Sequence, residues 1–133
     1  PEMPTKGKQT CHVGLDGFWY LCEASSTTGS GKQAMKWSGH FLIGYDAGAK
    51  SYRATGVDNM GFMVTMKGEL NGKKFTLVSE APMTMMGTTF LDRVTWDLET
   101  MKFTDEHASP GGNDWKVMEE DTFKVAPGAM AKK

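Results

Sequence analysis

Three charged residues stand inside otherwise apolar runs, and they are the first candidates for chemistry. In "TTFLDRVTW" (88–96), the alternation of a strand puts Asp92 on the face of Phe90, Val94 and Trp96, and Arg93 on the other with Leu91 and Thr95. In "WKVMEEDTF" (115–123), the same rule puts Glu119 with Trp115 and Val117. A carboxylate on the apolar face of a strand is desolvated, and its pKa rises unless it is paired. Asp92 or Glu119 can then serve as a general base or fix the polar end of a ligand. The competing reading is that a bulge slips the alternation, or that the acids pair with Lys or Arg at the rim.

Methionine raises a second chemistry. There are 11, clustered in "MGFMVTM" (60–66) and "APMTMMGTTF" (81–90), and thioethers suit Cu(I). A metal site needs converging ligands, however. On strands, Met60 and Met66 point one way and Met63 the other, while Met83 and Met85 oppose Met86. Gly61, Val64, Thr65 and Gly68 argue against the helix that would gather an every-third spacing. Apolar lining is the better reading, because methionine fills loosely shaped pockets. Met63 and Met85 are the candidates for it.

The three histidines, His12, His40 and His107, lie far apart, without the close spacing of zinc ligands. A metal held by Cys22 and distant histidines, or a haem on His40 or His107, has nothing else behind it. His40, in "SGHFLIG", reads as a hydrogen-bonded wall residue. No G-x-S-x-G elbow is present, and "TTGSGK" lacks the phosphate-loop spacing. No cofactor and no metal site are expected.

The elements that must carry these residues are strands. Glycine is frequent, with 16, and short β-branched and aromatic runs recur between turn signals. "KQTCHV" and "FWYLCEA" flank Asp16-Gly17, a favoured hairpin turn. About that turn, residues summing to 33 face each other, so Cys11 meets Cys22 within disulfide reach. Two half-buried free thiols are the other reading. "SSTTGSGK" (25–32) reads as a flexible loop. "AMKWSGHFLIGY", "SYRATGVD" and "FMVTMKGEL" read as strands, the last turning at Asn71-Gly72 into "KKFTLVSEA". "TTFLDRVTWDL", "TMKFTDEHA" and "WKVMEEDTFKV" follow. About eight short strands in sequence, mostly joined by tight turns, fit an antiparallel up-and-down β-barrel that hides its edges. A two-sheet sandwich is the competitor. Phe18, Trp19, Tyr20, Trp37, Phe41 and Tyr45 gather where the first hairpin meets the centre, and half of them must face inward. We expect one domain over 1–125 and a flexible tail over 126–133.

Composition narrows the partners. A net charge of −1 and 39% apolar residues fit a globular protein without a general grip on nucleic acid. No run approaches a membrane span. The chain opens on "PEMPTKGKQT", so a removed leader or a cut chain is expected. A Cys11–Cys22 disulfide implies a periplasmic or secreted protein, and free thiols a cytoplasmic one.

Several segments together resemble a known family. "GLDGFWYLCEAS", "WSGHFLIGYDAGAKSYRATGVDNMGF" and "TFLDRVTWDLETMKFTDEHAS…GNDWKVMEEDTFK" are similar, in order, to the bacterial domain of unknown function 1579 family. The resemblance implies a lipocalin-like (calycin-like) barrel and supplies no catalytic residues. Members usually open with a further strand carrying Gly-x-Trp, and nothing here matches it, so an exposed edge and a homodimer are expected. The leading functional expectation is a barrel binding a small apolar or amphipathic ligand. Tyr20, His40, Met63, Met85, Asp92, Arg93, Trp96 and Glu119 are its candidate contacts. A cofactor-free acid–base enzyme of isomerase or cyclase type, and an assembly protein pairing through its open edge, are the alternatives.

Overall fold

The computed structural model describes residues 5–29, 31–85 and 87–123. It contains ten strands: β1 (Thr5–Gly14), β2 (Trp19–Thr28), β3 (Met35–Asp46), β4 (Ser51–Asp58), β5 (Met63–Asn71), β6 (Lys74–Ser79), β7 (Met83–Met85), β8 (Thr88–Asp97), β9 (Lys102–Ala108) and β10 (Lys116–Thr122). The order in the sheet is β1-β2-β3-β4-β5-β6-β8-β9-β10, all antiparallel, and β7 pairs the first part of β8. The antiparallel up-and-down topology expected from the meander is present, curled into a half-barrel.

The first hairpin has the register its turn dictates: Cys11 pairs Cys22 and Val13 pairs Tyr20. Asp16 (φ 60°) and Gly17 (φ 88°) form the turn, and Leu15 O accepts from Phe18 N at 3.3 Å. Both central residues are left-handed, as a type I′ hairpin turn requires. The Cys11–Cys22 disulfide is formed, with sulfurs 2.07 Å apart.

Other local expectations shift. Ser25–Thr28 belong to β2 rather than to a loop, because β1 and β3 pair with them on both sides. The second turn sits at Gly72-Lys73 rather than Asn71-Gly72, with Asn71 paired to Lys74 and Gly72 at φ 62°. Moving the turn by one residue moves the pairing by two, so every side chain keeps its face. The shift sets Leu70 opposite Phe75. "PMTMMG" holds a short strand, β7, instead of a bare connection. Met86 and the tail expected over 126–133 lie outside the described residues.

Alternation divides the sheet into two faces. The inner face carries the core of Ala54, Met66, Leu77 and Val94, with Ile43, Val64, Phe75, Trp96 and Phe103 packed against it. Leu77 is the most deeply buried, at 1% exposure, and such a side chain stabilises by about 1.5–3 kcal/mol. The outer face carries a threonine row, with Thr55 opposite Thr65, and Thr76, Thr95 and Thr104 across β6, β8 and β9. Gly68 holds β5 close to β6: a Cβ there would lie 1.8 Å from Thr76 O.

Candidate functional site

Two features of the inner face meet on β8 and β9. The first is a row of aromatic rings. Tyr45, Tyr52, Phe75, Trp96 and Phe103 follow one another across β3, β4, β6, β8 and β9, with successive centroids 5.2, 5.2, 5.7 and 5.2 Å apart. These spacings lie within the favourable range for aromatic pairs. The residue of β5 opposite Tyr52 is Gly68, so no side chain there separates Tyr52 from Phe75. The row is open, since Tyr45 is 49% exposed and the other four rings are half-buried.

The second feature is polar. The four-residue loop after Asp97 is fixed by the Asp97 carboxylate, which accepts from Glu99 N at 2.9 Å and Thr100 N at 3.1 Å. It pairs Asp97 with Lys102 and therefore Asp92 with His107 and Val94 with Asp105. Asp92, Asp105 and His107 thus share the inner face. His107 Nε2 lies 3.5 Å from Asp92 Oδ1 and 3.7 Å from Asp105 Oδ1, beyond the usual hydrogen-bond range. Both of these carboxylate oxygens are buried without a hydrogen-bond partner. Phe90 stacks on the His107 ring, 4.0 Å between centroids and 16° between planes. Ser79 Oγ accepts from the Asp92 backbone amide at 2.9 Å and anchors β8 at this point.

Crowding of acids alters their protonation. Desolvation, then the adjoining carboxyl of Asp92, with Glu119 and Glu106 adding repulsion, pushes Asp105 up to about 9. Partial desolvation, then Asp121, pushes Glu119 up to about 7. Glu119 faces Asp105 across β9 and β10. It reaches that face through a bulge between Val117 and Glu119, which leaves Val117 opposite Glu106 on the outer side. The expectation that Glu119 shares a face with Val117 and Trp115 is corrected by this bulge. Trp115 precedes β10 and packs under Arg93, with the guanidinium carbon 4.3 Å from the ring centroid.

The eight candidate contacts divide between the faces. Tyr20, Met85, Asp92, Trp96 and Glu119 stand on the inner face by register. Asp92, Trp96 and Glu119 are brought together on three adjacent strands, while Tyr20 is on β2, five strands away from β8. Arg93 is on the outer face, gripping Glu106 at 3.1 and 3.0 Å. His40 pairs Glu23 and Val57 on the outer face and lines a surface groove of about 240 Å³ with Lys8, Thr10 and Glu23. Met63 also faces outward, 70% exposed, beside a cleft of about 290 Å³ between β5 and the β6–β7 connection. Cys22, bound to Cys11, is not free to ligate. Asp105 and His107 were missed as a pair, although their i, i+2 spacing in "FTDEHA" is the signal of a shared strand face.

Among the described residues no helix is long and apolar enough to cross a membrane. No curated protein matches the chain, and no solved structure does. The family described as protein of unknown function (DUF1579) matches residues 1–124, and the chain belongs to that family.

Proposed function

We propose that this half-barrel binds a small, elongated apolar or amphipathic ligand along the inner face of β8 and β9. The observation that carries the reading is one strand face that joins two surfaces. Trp96, flanked by Phe75 and Phe103, offers a planar apolar wall. Asp92, four residues back on the same face and paired with His107, offers a polar end. Four residues of strand span about 13 Å, which sets the ligand's length. Aromatic walls with a few convergent polar groups are the usual composition of small-molecule sites. The Cys11–Cys22 bond supports work in an oxidising compartment.

The test is titration with the neutral dye N-phenyl-1-naphthylamine. Saturable fluorescence enhancement is expected, with at least tenfold weaker binding in Trp96→Ala and unchanged binding in Met63→Ala, whose side chain is exposed on the opposite face of β5. Circular dichroism checks that both variants fold. Unsaturable signal, or equal affinity in all three proteins, overturns the reading.

One observation favours a second reading, acid–base catalysis. Asp105, desolvated and facing the Asp92 carboxyl, holds its proton up to about 9, next to apolar surface, as a general acid would. In that case Asp105→Asn keeps ligand affinity and loses turnover.

A further inference from the structure

We propose that Asp92, Asp105 and His107 form a binding site for one divalent first-row transition-metal ion of the zinc and manganese class. The inference goes beyond the ligand reading: it shares Asp92 and His107 with the polar end of that site and adds Asp105.

Each residue contributes one donor atom, and the three atoms lie within 4.8 Å of one another. The two distances from His107 Nε2, 3.5 and 3.7 Å, match the spacing of donors around one shared ion. Bonds of about 2.1 Å at a tetrahedral angle hold donor atoms about 3.4 Å apart. The same separation is too long for the donors to satisfy each other by hydrogen bonds. The unmet demand falls on the atoms that converge: Asp92 Oδ1 and Asp105 Oδ1 are buried and have no hydrogen-bond partner. Orphaned acceptors of this kind call for an explanation, and an ion bound to both supplies one.

The scaffold suits a metal site. The donors sit on two paired strands, so the ladder sets their spacing without help from a loop. Stacking on Phe90 fixes the plane of the His107 ring. One residue along, the two-bond grip of Arg93 on Glu106 across the outer face locks the same two strands in register. One imidazole nitrogen and two carboxylate oxygens suit zinc, manganese or iron(II), and do not suit the Cu(I) that thioethers select. Three protein donors leave at least one coordination position for water or for a ligand's own donor atom. Glu119, on the same face of β10 opposite Asp105, is a further carboxylate at hand.

The experiment uses the tag-free full chain, stripped with chelator and titrated separately with Zn²⁺ and Mn²⁺ by isothermal calorimetry. The expected result is one ion per chain and a rise in melting temperature with added ion. Affinity should fall at least tenfold in Asp92→Asn and in His107→Gln, and stay unchanged in His12→Gln, an exposed outer-face histidine. Cobalt(II) bound to the parent should give d–d absorption that is absent from His107→Gln. Should a variant unfold, loss of the cobalt spectrum on adding Zn²⁺ to the parent is the second measurement, and a spectrum of solvated cobalt overturns the proposal. So does binding that is weaker than millimolar, or equal in parent and both site variants. The naphthylamine titration is repeated on the stripped chain, so failure of the metal site and failure of the ligand site read out separately.

Discussion

Two aspartates on the inner face show how local partners decide a carboxyl's behaviour. Asp58 is partly desolvated, which raises its pKa, but Trp37 Nε1 donates to it at 3.0 Å and the amides of Met60 and Phe62 donate at 3.0 and 2.9 Å. These donors hold it below its ordinary value. Asp105 has no such donors at its buried oxygen, and desolvation followed by Asp92 pushes it up to about 9. Below its ordinary value of 3.8, Asp105 is protonated in both folded and unfolded chains, and its contribution to stability is fully present. As pH rises toward about 9, the unfolded chain releases the proton while the folded chain keeps it, so stability is lost across that window. In metal-free protein, urea unfolding should therefore show stability falling over this range, and Asp105→Asn should flatten the slope. The variant should be more stable than the parent on the alkaline side by about 1–3 kcal/mol, the scale of an unsatisfied buried group. A parent profile that is flat over the same range would contradict this account. Asp92 was legible in sequence because Phe90, Val94 and Trp96 mark its face. Its partners were not, because only the register of β8 against β9 sets Asp105 and His107 beside it.

Elements were legible to the extent that their signals are local. Asp16-Gly17 carries its own turn geometry, and the 33-sum register follows from it over the whole hairpin. The bulge before Glu119 has no such local mark, since it arises from the fit of β10 to β9. β7 leaves no mark in the sequence, because three residues are too few to show alternation. The last strand residues of β2 look like loop by composition and are held by neighbours on both sides. The disulfide has a task at this level: β1 is an edge strand with a single partner, and Cys11–Cys22 ties it to β2. Closing a loop of this size stabilises by about 3 kcal/mol in the chain-entropy account. Replacing both cysteines by serine should cost about 2–3 kcal/mol in urea unfolding. Hydrogen exchange should quicken first in β1, because strand pairing alone then retains it. Uniform quickening across the sheet would show instead that the bond supports the whole fold.

For the whole molecule, the chain order of strands was readable from tight turns, whereas the degree of closure was not. Closure depends on tilt and stagger summed over all strands, and no local pattern encodes that sum. The outcome is a half-barrel with β1 at one end of the sheet and β10 at the other. Open edges invite pairing between copies, and charge is a common defence. The β10 edge, with every residue exposed, carries Glu119, Glu120 and Asp121 against Lys116. The β1 edge carries Lys8 and His12, both exposed. A symmetric dimer through either edge sets like charges side by side, but β10 of one copy complements β1 of the next. That contact is heterologous, and it extends the sheet into an open series unless its rotation closes a ring. The expected behaviour is a monomer at physiological salt, where exposed charges are screened beyond about 8 Å. At about 0.01 M salt the screening length reaches roughly 30 Å, and sedimentation velocity should show concentration-dependent association beyond the dimer. Lys8→Glu should suppress it, because the acidic β10 edge then meets repulsion. A discrete dimer that persists in high salt and survives Lys8→Glu would rule out edge pairing and assign the contact to the apolar inner faces.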